Sequence, residues 1–338
     1  MPVEPSFKSA DNPTIQYIGR IDFSNPLLPR FWASGVYIKA KFTGSFCDIV
    51  VNDELHDEIN HNYLSIIVDN AAPVRIQTRS KTDTIKVIRN LPEGEHMLTI
   101  CKDTEASAGY LEFVGLYCQE LLPLPPKPMR KMEFIGNSIT CGAGSDLSIS
   151  QCGHGNWYDK HNAYLSYGPT VARAFNAQWQ LSSVSGIGLI RSCCSLPITM
   201  PQVYDKINMW GNYVNWNFNQ YVPDVVSICL GQNDGIQDST AFCSAYIKFI
   251  TTIRSHYPNA YIVCVASPMA NALLAPVLKK YLTSIVQYAN ARRMPNVGLF
   301  FFSQRYHGGC GDHPTLAEHA LMAQELTAFL AQELHWES

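Results

Sequence analysis

The stretch LLPLPPKPMRKMEFIGNSIT, residues 121–140, separates two different sequence textures. Pro123, Pro125, Pro126 and Pro128 fall within six residues, a density that favours extended polyproline geometry and suits a linker. The MEFIG that follows is a short apolar run ended by a turn, as expected of a buried strand. Asn137-Ser138 then sits where that strand turns sharply into a helix.

Downstream, QLSSV, DVVSICL, AYIVCVA and VGLFFF repeat the buried-strand pattern. Helical periods separate the later runs. Phe242, Tyr246, Phe249 and Ile253 share one face, as do Leu274, Leu278, Tyr281, Ile285 and Tyr288. Thr315 with Glu318 three residues on forms a capping box that opens a last helix. Alternating strands and helices predict a mostly parallel sheet covered on both sides, a three-layer α/β domain over 131–338. Upstream, VYIKAKF, CDIVVND, YLSIIVDN, TIKVIRNL, HMLTICK and YLEFVGLY are short, rich in Val, Ile, Tyr and Phe, and divided by polar turns. They predict an all-β sandwich or jelly roll over 1–122, with 123–130 as the linker.

Composition narrows the function classes. Across 338 residues the formal net charge is -3, and no run of Lys or Arg occurs, so a nucleic-acid footprint is absent. No apolar stretch is long enough to span a bilayer, and no membrane partner is expected. Met1 to Pro13 is polar and lacks a signal-peptide core, which decides little because such a leader is removed on export. Of eleven cysteines, Cys101, Cys229 and Cys264 lie in apolar runs and read as buried free thiols. Cys141, Cys152, Cys193, Cys194 and Cys310 lie in loop-like segments with room for one or two disulfides, whose pairing spacing does not assign. No CxxC or Cys/His spacing reads as a metal site, and no cofactor is expected. The oligomeric state is not readable.

In open α/β sheets ligands bind beyond the carboxyl ends of the strands. There this chain offers Ser138, then Ser185-Gly186-Ile187-Gly188, then Gly231-Gln232-Asn233-Asp234, then Asp312-His313. A serine hydroxyl needs a base within hydrogen-bond reach, and imidazole is the side chain that titrates near neutrality. Glycine amides and an Asn amide are suitable donors to an oxyanion. Each residue alone has an ordinary explanation: a helix N-cap serine, a loop histidine, a turn glycine, a turn asparagine. Their appearance in order at successive strand ends points to acyl transfer, with Ser138 as nucleophile, His313 as base, and Ser138, Gly186 and Asn233 as oxyanion donors. Gly188 is an equivalent alternative to Gly186. Trp157, Tyr158, Tyr164, Trp210, Tyr213 and Trp216 cluster in loop-rich sequence. Trp157, Tyr164 and Trp216 are the aromatics expected to line a substrate cleft, against the alternative that they pack in the core.

These blocks resemble the SGNH (GDSL-type) hydrolases: Gly136-Asn137-Ser138-Ile139-Thr140 is similar to the first block, Ser185-Gly186 to the second, Gly231-Gln232-Asn233-Asp234 to the third and Asp312-His313-Pro314 to the last. With the β domain ahead of them, and with NAYLSYGP (162–169), FNAQWQLSSVSGIG (175–188) and WNFNQYVPDVV (216–226), the chain is similar to carbohydrate esterase family 2. That resemblance implies removal of acetyl groups from hemicellulose such as xylan or glucomannan, or from derived sugars, through an acyl-serine. It also implies an acetylated oligo- or polysaccharide partner and a secreted or periplasmic setting, although cysteine richness also suits a reducing one. The alternatives are a lipase or thioesterase for longer acyl groups, or a carbohydrate-binding protein with a vestigial site. Two departures stand out. Asn137 replaces the usual Asp of the first block. Cys310 occupies the position, three before the histidine, where an Asp usually stands, and Asp312 is adjacent to His313 instead. Neighbouring side chains in an extended segment point to opposite sides, so Asp312 is the third member only if the loop departs from that geometry. Otherwise a backbone carbonyl orients the ring, as in some members of the family.

Overall fold

The computed structural model describes residues 4–56 and 59–337. Residues 1–3, 57 and 58 of the expected β domain and residue 338 of the expected α/β domain lie outside the described residues.

The first part of the chain forms two antiparallel sheets. One runs Ser6–Ser9, Leu111–Cys118, Cys47–Asp53, Thr82–Ile88, with Arg30–Phe31 also pairing Leu111–Cys118. The other runs Glu120–Leu122, Tyr37–Thr43, Glu95–Lys102, Tyr63–Val68, Val74–Gln77, with Gln16–Ile18 alongside Tyr37–Thr43. The two-residue period of a strand decides what each face meets. In Tyr37–Thr43, Ile38, Ala40 and Phe42 enter the core between the sheets with Ile49, Leu98, Phe113 and Leu116. Tyr37 faces the other way and stacks on Trp179 of the α/β part, ring centres 3.8 Å apart.

Residues 123–130 carry neither helix nor strand. They are nonetheless tied down on both sides: Gln16 Nε2 donates to the Pro125 carbonyl at 2.8 Å, Lys127 Nζ to Tyr17 O at 2.7 Å, and Gln178 Nε2 to Pro128 O at 2.6 Å.

The second part is a five-stranded parallel sheet in the order Gln178–Ser183, Lys131–Gly136, Val225–Ile228, Tyr261–Val265, Val297–Phe300. Helix Tyr167–Ala174 packs with helix Leu316–Leu334, and Ser239–His256 packs with Leu274–Ala291. Strand residues feed two separate clusters: Met132, Phe134 and Val263 join the first pair's residues, and Ile135, Ile228 and Ile262 the second's. The sheet is therefore buried on both faces, as parallel sheets require. Thr315 and Glu318 form the expected capping box, whereas Tyr288 is exposed. Helix Tyr167–Ala174 was not anticipated; its eight residues are too short a run for a helical period to stand out.

The two parts share a buried face. Arg20, fully buried, reaches from the β part to Glu133 Oε1 on the central sheet at 3.1 Å and donates to the carbonyls of Tyr204 and Lys206. Glu133 also accepts from Gln180, Ser182 and Tyr204, so the buried pair is well supplied with partners. Trp179 Nε1 donates to Gly35 O at 2.9 Å.

Candidate active site

Strand Lys131–Gly136 ends at Asn137, whose side-chain oxygen accepts the Ile139 amide at 3.1 Å and caps the turn Ser138–Cys141. Asn137, not Ser138, is thus the N-cap, and Ser138 is the first helical residue, its hydroxyl free for other use. Gly136 is required here: a Cβ would lie 2.1 Å from Thr140 Oγ1.

Ser138 Oγ lies 2.8 Å from His313 Nε2, and His313 Nδ1 lies 2.9 Å from the Cys310 carbonyl. A carbonyl only accepts, so Nδ1 carries the proton and Nε2 presents its lone pair to the serine hydroxyl. Burial lowers the His313 pKa below the ordinary imidazole value; the Cys310 carbonyl and the Asp312 charge oppose this in part. The ring of Trp157 stands edge-on to His313 at 5.2 Å, and its other neighbour is the buried His161 ring at 5.6 Å.

Asp312 does not hold the ring. Its backbone is left-handed (φ 60°), its side chain is exposed, and its carboxylate pairs with Arg305 at 3.3 Å. Asp234, the acid beside Asn233, is also engaged elsewhere. Its buried carboxylate accepts the amides of Leu189, Ile190 and Arg191, at 2.7 Å for Ile190 and 3.1 Å for Arg191. It thereby anchors the loop that follows Ser185-Gly186.

The two glycines of that loop are now distinguishable. The Gly188 amide donates to Ser192 Oγ at 3.0 Å, whereas Gly186 lines the cleft at φ +80°. Asn233 also lines the cleft, with one amide hydrogen used on the Ile187 carbonyl at 2.8 Å. The second hydrogen remains to be donated. The cleft holds about 750 Å³ and brings Ser138, His313, Gly186, Asn233, Trp157 and Trp210 together.

Two expected aromatics lie elsewhere. Trp216 is buried in the core with the Arg20 guanidinium 5.4 Å from its ring. Tyr164 is half-buried and packs on Trp179 and Arg173 at the domain contact. An indole or phenol near the active blocks in sequence satisfies core packing equally well, which is why composition alone did not separate them. Conversely, Glu105 and Ser107 of the β part line the cleft, and no local motif marks them. Cys152 and Cys310 form a disulfide, as do the adjacent Cys193 and Cys194 on the cleft wall. Cys141, expected in a loop, is a buried free thiol in the turn after Ser138. Cys101, Cys229 and Cys264 are buried and free. Among the described residues no three His, Cys, Asp or Glu side chains are placed to hold a metal ion, and no helix is long and apolar enough to cross a membrane.

Residues 17–128 match the family model for the carbohydrate esterase 2 N-terminal domain, and residues 134–315 match that of the GDSL-like lipase/acylhydrolase family. The chain belongs to carbohydrate esterase family 2. It is 34% identical over 336 residues to the cellulase/esterase CelE of Acetivibrio thermocellus, covering 96% of this family 2 chain and 40% of that protein. It thus spans well under half the length of that relative. It is 29% identical to an acetylxylan esterase / glucomannan deacetylase of Cellvibrio japonicus, covering 97% of this chain and 91% of that one. Among solved structures, a family two carbohydrate esterase from Clostridium thermocellum in complex with cellohexaose superposes with a TM-score of 0.87 at 34% identity, covering 95% and 99% of the two chains. One from Cellvibrio japonicus gives 0.88 at 27% identity, covering 99% of both.

Proposed function

We propose that this chain removes O-acetyl groups from hemicellulose, such as xylan or glucomannan, or from sugars derived from it, with Ser138 and His313 as a catalytic dyad. The observation that carries this is the chain of contacts from Ser138 Oγ to His313 Nε2 at 2.8 Å and from Nδ1 to the Cys310 carbonyl at 2.9 Å. His313 takes the proton of Ser138 as the hydroxyl attacks the acetyl carbonyl. The amides of Ser138 and Gly186 and the Asn233 side chain hold the oxyanion, Gly186 being preferred to Gly188 because the latter's amide is already used. His313 then protonates the departing sugar oxygen. Water, deprotonated by His313, attacks the acetyl-serine, and acetate leaves as the proton returns to Ser138. The Cys310 carbonyl does the orienting usually done by a carboxylate.

The relatives support the substrate class: one is named for acetylxylan and glucomannan, and one solved neighbour holds cellohexaose. Trp157 and Trp210 are the rings on which a sugar would stack. The division of labour is a β domain over 1–122, a tethered linker over 123–130 and a catalytic domain over 131–338. The Cys152–Cys310 bond favours a secreted or periplasmic setting.

The test is acetate release from acetylated xylan, glucomannan and simple acetylated sugars, beside long-acyl esters. Ser138→Ala is expected to abolish release while the circular dichroism spectrum and Tm stay unchanged. Substantial turnover by that variant, or preference for long acyl chains, overturns the reading.

A further inference from the structure

Glu105 belongs to the β part, in the segment that follows strand Glu95–Lys102 and enters the short turn Ala106–Ala108. It is 2% exposed. Burying a carboxylate is costly unless its oxygens find donors. One oxygen accepts the backbone amide of Ser185 at 2.9 Å, across the domain contact. The other lies 3.6 Å from Nε2 of the buried His161, the ring that backs Trp157. Two further bonds fix the segment itself. Lys102 Nζ, also fully buried, donates to the carbonyls of Thr104 at 2.7 Å and Glu105 at 3.2 Å.

Ser185 directly precedes Gly186. The peptide unit that carries the Gly186 N–H starts at the Ser185 Cα, and the peptide unit on the other side of that Cα, which carries the Ser185 N–H, is fixed by a side chain from the other domain. On the far side the Gly186 carbonyl accepts from Cys193 N at 2.9 Å. The turn is held from both ends, and the end nearer the catalytic strands is held by Glu105.

Resting on the esterase reading, we propose that Glu105 is a positioning residue for the reaction: through Ser185 it aims the Gly186 amide at the oxyanion, so the β domain completes the active site. The role is that of a hydrogen-bond acceptor, with no contact to the reacting atoms. Sandwich packing alone would be served by an apolar side chain, as at the adjacent Ala106 and Ala108.

The test compares three full-chain variants. Glu105→Gln keeps an acceptor of the same reach. Glu105→Leu removes it. Glu105→Asp keeps the charge but withdraws the acceptor by one methylene, and serves where the Leu variant does not fold. Two readouts are taken: hydrogen exchange of the Ser185 amide, and kcat and KM for 4-nitrophenyl acetate, per site titrated with a phosphonylating serine reagent. Leu and Asp should speed Ser185 exchange and lower kcat roughly 10- to 100-fold, below the full loss of an oxyanion donor, with KM changed by less than about threefold. Gln should stay within about threefold of the parent in kcat. Unchanged exchange, an unchanged kcat per site, or a Gln variant as slow as Leu overturns the proposal. If the unsubstituted protein hydrolyses no acetyl ester, the esterase reading falls, and Ser185 exchange still decides whether Glu105 holds the turn.

Discussion

For the proposed dyad to work His313 must be neutral at Nε2, and burial places its pKa below the ordinary imidazole value of about 6.5. Activity rises as pH climbs through the pKa of the base. The acid limb of kcat/KM is therefore expected below pH about 6.5, read from a pH–rate profile with a small acetyl ester. A limb above pH 7 is the contrary result. Because the Asp312 carboxylate pairs with Arg305 and not with the ring, Asp312→Asn should cost less than about fivefold in kcat. Replacing a true triad carboxylate costs about 10⁴-fold, so steady-state kinetics separate the two cases cleanly. At this scale the sequence order of Ser138, Gly186, Asn233 and His313 marked them as candidates, and the structure brings all four to one cleft, the first three shortly after strand ends and His313 from a longer loop after strand Val297–Phe300. The resemblance left Asp312 and a backbone carbonyl both open as the ring's partner, and the residues themselves do not single out Cys310, because every residue carries a carbonyl.

Between residue and domain stands the loop that presents His313. Gly311 and Asp312 are both left-handed, with φ 60°, and the loop's start is fastened to residue 152 by the Cys152–Cys310 bond, across 158 positions of sequence. A crosslink closing so long a loop stabilises by on the order of 3–5 kcal/mol. Cys152→Ser with Cys310→Ser should therefore lower the denaturant midpoint. It should also lower kcat, because the carbonyl that aligns the imidazole belongs to Cys310. An unchanged midpoint and rate in urea melts and acetate assays would contradict both effects. Loop-like sequence marked five cysteines with room for a bridge, of which four are bonded and Cys141 is a buried free thiol, but pairing depends on how two distant loops meet, which no local pattern encodes. Helices Ser239–His256 and Leu274–Ala291 were legible from their 3.6-residue period, and the strands from their apolar runs.

The whole molecule is held by polar contacts that neither part's sequence announces. Arg20 and Glu133 lie 113 positions apart and are both fully buried. Removing one partner leaves the other charge unpaired in the interior, so Arg20→Ala should destabilise by about 3–5 kcal/mol in chemical denaturation. A change under about 1 kcal/mol would mean that the remaining donors to Glu133 suffice. The β sandwich and the α/β layers were each readable from strand period and helix period; how they face one another was not, because Tyr37, Trp179, Arg20 and Glu105 look like ordinary core or surface residues in their own segments. The Cys152–Cys310 link also has a consequence for biosynthesis. Chains are made from the N-terminus, and early domains fold first. The imidazole follows Ser138 by 175 positions, and the carbonyl and one half of the covalent clasp lie just ahead of it. A nascent chain halted before residue 310 carries the β domain and Ser138 but lacks the histidine of the proposed dyad, so hydrolysis by that dyad cannot begin before synthesis has passed residue 313.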